Sequence, residues 1–157
     1  MKKFLLSLTI ILVSVIMVSC SKDEPQSGTV LVNVSFDGAI ASPSVVKLYK
    51  YEDAKDFDKT YTGACHYGST GDLLDNKDNV ITPFAIGDNT LGVNTFKNIP
   101  NGKYIIIAFY KPQGYSFETF FYYGYKTIDV NGSLSTHFIE FKNGENALNA
   151  KGFVEFK

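Results

Sequence analysis

The sequence contains no arginine, no tryptophan, and only two cysteines and two histidines in 157 residues. Arginine is the side chain that most often forks onto phosphate and carboxylate groups. Its absence, together with a formal net charge of −1, argues against nucleic acid as a partner. Scarce histidine and cysteine, with no HExxH-like spacing, leave little from which to build a zinc site or a nucleophilic centre. We therefore predict no enzymatic activity and no cofactor.

The first 19 residues have the layout of a secretory signal peptide. Lys2 and Lys3 precede a mostly apolar stretch of 15 residues, 4–18. That stretch is shorter than the roughly 20 apolar residues of a membrane-spanning helix, and charged residues follow it closely. The sequence therefore predicts export rather than a spanning segment.

The end of this leader, Met17-Val18-Ser19-Cys20, resembles the lipobox of bacterial lipoproteins, with Met17 where the motif usually has leucine. The resemblance implies cleavage before Cys20, lipidation of its thiol and acylation of the new N-terminus. Several acyl chains are what stable anchoring requires. The alternative is an ordinary signal peptide cleaved nearby, which leaves a free thiol. If Cys20 is lipidated, Cys65 lacks a disulfide partner and is expected to be a small buried apolar residue.

Lys22, Asp23 and Glu24 begin two residues after Cys20 and resemble the export tag that directs some Gram-negative lipoproteins to the outer face of the outer membrane. We therefore predict a lipid anchor in the outer membrane at the cell surface, with the periplasmic leaflet as the alternative. Residues 1–19 are then the signal peptide, 20–28 the lipidated cysteine and tether, and 29–157 one folded domain. Removing 19 of 157 residues leaves a chain of 138 residues with 13 lysines and 16 acidic residues, a net charge of −3.

The mature chain has the pattern of a β protein. Apolar and polar residues alternate from Val30 to Phe36, which is typical of a strand with one buried face. The run from Lys103 to Tyr110 is apolar on both faces, and we expect it in the middle of a sheet. Turns such as Pro100-Asn101-Gly102 separate the strands, and residues 52–59 are expected to form a loop or one helical turn. The sequence predicts an all-β antiparallel sandwich of about seven or eight strands.

The segment Phe96–Ala108, FKNIPNGKYIIIA, resembles a signature of prealbumin-like sandwiches, the carboxypeptidase regulatory-like and Cna-B-like domains. Two apolar residues three apart precede a proline, a turn ending in glycine, and a Lys-Tyr pair that opens an apolar strand. The resemblance implies that Phe96 and Ile99 pack into the core and that Tyr104 begins the next strand.

In such families the domain is mostly a spacer, adhesive or binding module, so the resemblance implies no chemistry by itself. The hydrolases of this fold family use histidine and arginine, and the chain has no arginine. An isopeptide bond like that of some Cna-B-like domains would need Lys47 or Lys50, a late asparagine such as Asn146, and a carboxylate buried beside them.

An acidic loop supplies the weak candidate for a metal site. Asp72, Asp75 and Asp78 offer the hard oxygen ligands that calcium prefers. The loop lacks the alternate-position spacing and central glycine of a helix–loop–helix calcium site. A solvated turn is therefore the favoured interpretation, and a calcium site is the alternative.

An aromatic run near residue 120 is the main candidate for a binding surface. In a strand, Phe121, Tyr123 and Tyr125 share one face, and Phe120 and Tyr122 share the other. One face can fill the core, whereas the second must be covered by another element or lie open. Tyrosine suits stacking on a sugar or a protein interface. Tyr122, Tyr123 and Tyr125 are the candidate binding face, and packing of both faces in the core is the alternative.

Two functions of different classes are consistent with these features. The first is a non-enzymatic surface lipoprotein that binds or adheres to a protein or polysaccharide partner. The second is a structural accessory subunit of an outer-membrane assembly with no separate ligand. In both, the lipid anchor makes the membrane a partner. An enzyme ranks third, and a pocket joining His137 to two carboxylates would support it.

The anchor gives the first testable prediction. Cys20→Ala removes the thiol that the lipobox resemblance assigns to lipidation, so the variant should lose labelling by a fatty-acid analogue and leave the membrane fraction. Cys65→Ala is the matched control, and its labelling should equal that of the parent. Undiminished labelling of Cys20→Ala would contradict the prediction.

Overall fold

The computed structural model describes residues 26–60, 73–113, 122–144 and 153–157. Within these ranges the chain forms twelve strands and one helical turn. In chain order they are β1 (Ser27–Phe36), β2 (Ala39–Ile40), β3 (Ser44–Lys50), α1 (Tyr51–Ala54), β4 (Leu73–Leu74), β5 (Val80–Ile81), β6 (Ala85–Ile86), β7 (Asp88–Thr90), β8 (Val93–Pro100), β9 (Gly102–Tyr110), β10 (Tyr122–Val130), β11 (Leu134–Phe141) and β12 (Val154–Glu155). No helix in these ranges is long and apolar enough to cross a bilayer.

Two five-stranded sheets carry the fold. The first sheet has the order β11-β1-β8-β7, with β2 paired to β1, and the second has the order β12-β10-β9-β3-β6. The predicted all-β sandwich is confirmed. Most pairs are antiparallel, but β1 pairs with β11, and β10 with β12, in parallel. The parallel pair β1–β11 is possible because β11 does not pair with β10. A three-residue turn joins β10 to β11, but the two strands lie in different sheets.

The core between the two sheets is built by alternate residues of each long strand. Val30, Val32 and Val34 of β1 are buried, whereas the residues between them are half-exposed. On the opposite sheet, Val46 and Leu48 are buried in the same cluster. The remaining members include Phe96, Ile99, Tyr104, Ile106, Ala108, Tyr122, Ile128, Ile139 and Phe141. The alternation of residues in the sequence of β1 therefore predicts correctly which of its side chains face this core.

Strand β9 is buried on both faces and lies in the middle of its sheet, as its sequence predicted. Ile106 packs into the core between the sheets, and Ile105 and Ile107 pack into a second cluster on the outer face. That second cluster also contains Phe57 and Leu73, from the stretch that follows β3. A layer of chain outside the two main sheets therefore covers the outer face of the second sheet.

A β-bulge explains how Phe96 and Ile99 both reach the core although they are three residues apart. In a regular strand, residues three apart point to opposite faces. The pairing of β1 with β8 shifts by one residue between Gly28 and Val30, and Asn98 has a φ of 56°. The extra residue turns Ile99 back inward. The core positions implied by the prealbumin-like signature are therefore observed: Phe96, Ile99 and Tyr104 are each 3% exposed or less.

The sequence pattern also predicts strands over 79–86, 147–156 and 60–67. The expected strand 79–86 is divided into β5 and β6, with Pro83 in the interruption. Of the strand expected over 147–156, the described part is β12, and the Phe156 ring lies against Gly124, where a side chain would have no room. The short strand expected over 60–67 lies almost wholly outside the described residues. The single turn α1 matches the expected loop or helical turn.

The second prediction tests the facing of these strands. Ile106 is fully buried, so Ile106→Ala should leave a cavity and lower the free energy of unfolding by about 2–5 kcal/mol. Lys97 is exposed on β8, so Lys97→Ala should change that free energy by no more than about 0.5 kcal/mol. Denaturant unfolding measures both, and similar midpoints for the two variants would mean that the strand facing is wrong.

Candidate functional site

The aromatic strand is part of the core, so the exposed binding face predicted at Tyr122, Tyr123 and Tyr125 is wrong. The three side chains are 2%, 1% and 5% exposed, respectively. The Tyr122 ring packs in the core between the sheets, with its centroid 4.9 Å from that of Phe36 and 5.7 Å from that of Phe141. The alternative, in which both faces are packed, is the correct one.

The layer that covers the outer face of the second sheet accounts for this burial. Tyr123 and Tyr125 share that face, as predicted. Phe57 contacts the Tyr125 ring edge-on at a centroid distance of 5.3 Å, and Phe153 lies 5.3 Å from the Tyr123 ring. The Lys59 ammonium lies 4.9 Å from the centroid of Tyr125 and completes the cover. These contacts join residues far apart in the chain, which no local pattern reveals.

The third prediction follows from this packing. The double variant Tyr123→Ala, Tyr125→Ala removes two buried rings and should lose at least about 3 kcal/mol of unfolding free energy. The matched control, Tyr123→Phe with Tyr125→Phe, keeps both rings and should lose much less. Thermal melting compares them. An unchanged melting temperature for the alanine variant would show that the rings are not part of the core.

Asp75 of the acidic loop holds a turn. Its Oδ1 accepts hydrogen bonds from the backbone N–H of Lys77 at 2.8 Å and of Asn79 at 2.9 Å, and the Asn79 side-chain amide also donates to the carboxylate. Chiefly that side-chain hydrogen bond lowers the pKa of Asp75. No group of three potential metal ligands lies together within the described ranges. These contacts fit the solvated turn; Asp78 is exposed, and Asp72 lies outside the described residues.

His137 does not assemble a catalytic group with its described neighbours. It is half-buried on β11, with Nε2 at 3.2 Å from the Ser135 hydroxyl. Burial, and secondarily the charge of Lys126, lower the pKa of His137, which favours the neutral imidazole. Cys65 and His66 lie outside the described residues. The pocket joining His137 to two carboxylates, which would support an enzyme, is not found in the part of the chain that the structure describes.

The other residues singled out from the sequence fall into two groups, those outside the described residues and two lysines of β3. Cys20, Lys22, Asp23, Glu24 and Asn146 are outside the described residues, so the anchor, the export tag and the isopeptide bond stay predictions. Of the two lysine candidates for that bond, Lys47 is buried and Lys50 is exposed.

A cleft of about 310 Å³ opens at one end of the sandwich, where β3 runs into α1 and β8 turns into β9. It is lined by aromatic, charged and amide side chains and by the proline and glycine of the β8–β9 turn. They are Lys50, Tyr51, Glu52, Phe84, Pro100, Asn101, Gly102, Lys103 and Tyr104. We refer to this feature as the end cleft.

The aromatic wall of the end cleft is a tilted pair of rings, one of which is partly exposed to solvent. Phe84 and Tyr104 lie with centroids 5.6 Å apart and planes tilted by 55°. Tyr104 is 3% exposed and anchors the pair, whereas Phe84 is 39% exposed. The Tyr104 hydroxyl donates a hydrogen bond to the Pro100 carbonyl at 3.0 Å. Burial raises the pKa of Tyr104, which keeps this hydroxyl protonated.

Two lysines are held beside the rings. The Lys50 ammonium is 5.3 Å from the Phe84 centroid, and the Lys103 ammonium is 4.1 Å from the Tyr51 centroid. These are cation–π distances. Glu52 also lines the cleft, but its carboxylate contacts Lys55 at 2.6 Å. Neither Lys50 nor Lys103 forms an ion pair with any described residue.

The rim of the end cleft is fixed by the β8–β9 turn. Asn101 lies in that turn, and its backbone N–H donates to the Gln26 carbonyl at 3.1 Å. Gly102 follows with a φ of 155°. The turn was predicted from Pro100-Asn101-Gly102, but its role in a cleft was not. Tyr51 and Phe84 were not identified in advance, since they are 33 residues apart and nothing local links them.

The end cleft brings together aromatic rings, two ammonium groups, a carboxylate and an amide. No protein-family model and no curated protein matches the sequence. Among solved structures, the chain is similar to a Pseudomonas aeruginosa protein provisionally described as carbohydrate-binding, with 17% identity over 76% of this chain and 90% of that one. The TM-score of 0.37 is too low to support an assignment of fold or function.

Proposed function

We propose that this protein is a lipid-anchored, non-enzymatic binding module and that the end cleft binds a sugar ring. The observation that carries the proposal is the Phe84 ring, which is 39% exposed, packs against the buried Tyr104 ring and is flanked by polar side chains. A sugar presents an apolar C–H face for stacking and hydroxyl groups at its edges. An aromatic wall beside amide, carboxylate and ammonium groups complements both.

The shape of the site supports an extended ligand. The end cleft is open to solvent along a rim of exposed residues, among them Asn101 and Lys103. A ring within a polysaccharide can therefore enter while the chain continues on either side. This fits a polysaccharide partner better than a small enclosed molecule.

The proposed location rests on the leader. Cys20 within its lipobox-like motif supports lipidation, and Lys22, Asp23 and Glu24 support transport to the outer face of the outer membrane. The bulged β8–β9 segment supports kinship with prealbumin-like sandwiches. A surface lipoprotein with a prealbumin-like binding domain is the combination we propose.

A second candidate, an accessory subunit without a separate ligand, is favoured by one surface. Ile40, Leu134 and Phe138 are 68%, 66% and 68% exposed, respectively. Their pairing partners and neighbours place all three on the outer face of the first sheet. Exposed apolar side chains grouped on one face are typical of contact with another protein.

The fourth prediction tests the proposed function. Phe84→Ala removes the open stacking surface, so the full-length lipidated protein in detergent should lose binding to immobilised glycans at least about tenfold, which corresponds to roughly 1.4 kcal/mol. A glycan array carrying neutral and acidic saccharides provides the measurement.

Phe138→Ala is the matched control, because it removes an exposed phenylalanine outside the end cleft. Its glycan binding should equal that of the parent. Absence of glycan binding by the parent, or equal binding by both variants, would contradict the proposal. Loss of a captured protein on Phe138→Ala would then favour the accessory subunit.

A further inference from the structure

We infer that the sugar bound in the end cleft is anionic and that it is the head group of a glycolipid in the same membrane that anchors the protein. The inference rests on the proposed function and adds two properties to it. The first is the charge of the ligand, which follows from the two lysines. The second is its source, which follows from where the chain enters the domain.

The charge of the end cleft is positive, although the mature chain is acidic. Lys50 and Lys103 carry ammonium groups with no ion-pair partner among the described residues. The Glu52 carboxylate is already engaged by Lys55. The net charge of −3 for the mature chain gives anions no general attraction to the protein. A carboxylated or phosphorylated sugar is therefore attracted to this site by the two ammonium groups.

The lysines are also positioned in advance. Each ammonium already lies over an aromatic ring, Lys50 over Phe84 and Lys103 over Tyr51. The aromatic rings of the end cleft thus hold both charges within the site. Side chains held near their bound position lose less freedom when the ligand binds. A neutral sugar would use the rings but leave both charges without a partner.

The position of the end cleft follows from the tether. Gln26 is the first described residue, and its carbonyl accepts the hydrogen bond from Asn101 on the rim of the cleft. Gln26 comes six positions after Cys20, a reach of at most roughly 20–22 Å at 3.3–3.6 Å per residue. The rim is therefore confined to the neighbourhood of the lipidated residue.

This confinement favours a ligand carried by the membrane. A glycolipid head group lies at the surface where the anchor enters the bilayer, and its glycan can still continue past the open rim of the end cleft. A short tether also raises the effective concentration of such a head group at the end cleft. A free anionic saccharide has the same chemistry but gains nothing from the tether, which allows the two sources to be separated.

The charge is tested with two probe pairs that differ by one acidic sugar. Sialyllactose and lactose are the free pair; a sialyllactose-bearing ganglioside and lactosylceramide, each at 5 mol% in phosphatidylcholine vesicles, are the membrane pair. For the full-length lipidated protein, the acidic member of each pair should bind at least tenfold more tightly. Raised ionic strength should weaken the binding of the acidic probes and leave the binding of the neutral probes unchanged.

Variants of the two lysines test whether the preference for the acidic probe arises in the end cleft. Lys50→Gln with Lys103→Gln should abolish the preference for the acidic member while leaving weak binding to both. Lys97→Gln, which removes an exposed lysine outside the cleft, is the control and should keep the preference. Equal binding of acidic and neutral probes by the parent, with binding still lost in Phe84→Ala, would overturn the anionic inference and leave the proposed function standing. No binding of any probe or array glycan would overturn both.

The source is tested by lengthening the tether. Thirty glycine and serine residues inserted after Glu24 extend the six-residue path about sixfold, which should raise the ganglioside content needed for half-saturation roughly tenfold. Hydrogen exchange in the β8–β9 turn of the vesicle-anchored protein reports occupancy. Binding of free sialyllactose should not change. An insertion that leaves ganglioside binding unaltered would overturn the membrane source.

Discussion

The second sheet is buried on both faces, and most of the structure follows from that constraint. A sheet that is apolar on both sides needs two covers. The first sheet supplies one, through residues such as Val32 and Phe96. The other comes from the chain that leaves β3, with Phe57 and Leu73 packed on the outer face, and from Phe153. Without that second cover, the Tyr123 and Tyr125 rings would lie open to water.

The segment that covers this face also builds the end cleft. It leaves the sheet at Tyr51, and the chain returns at Phe84, whose backbone N–H donates to the Leu48 carbonyl at 2.8 Å. Its two ends are therefore brought together at the end of β3, each with an aromatic ring. Lys50 and Lys103 then contact those rings from the neighbouring strands. Core protection and the candidate site are two results of one excursion of the chain.

The sequence predicted what depends on local pattern. The all-β class, the central β9, the facing of β1 and the buried Phe96, Ile99 and Tyr104 all follow from alternation or from the prealbumin-like resemblance. The burial of Tyr123 and the pairing of Tyr51 with the region of Phe84 depend on contacts across long sequence separations. A strand that is aromatic on both faces is compatible with a binding surface or with a two-sided core, and only the covering layer distinguishes them.

The bulge at Asn98 links the packing of the core to the position of the rim of the end cleft. One extra residue in β8 turns Ile99 inward and, in the same step, sets Pro100 and Asn101 where the chain enters the domain. A lineage that lost this residue would shift the register of both at once. The length of β8 is therefore under a double constraint, because one residue count sets both the burial of Ile99 and the place of Asn101 at the rim.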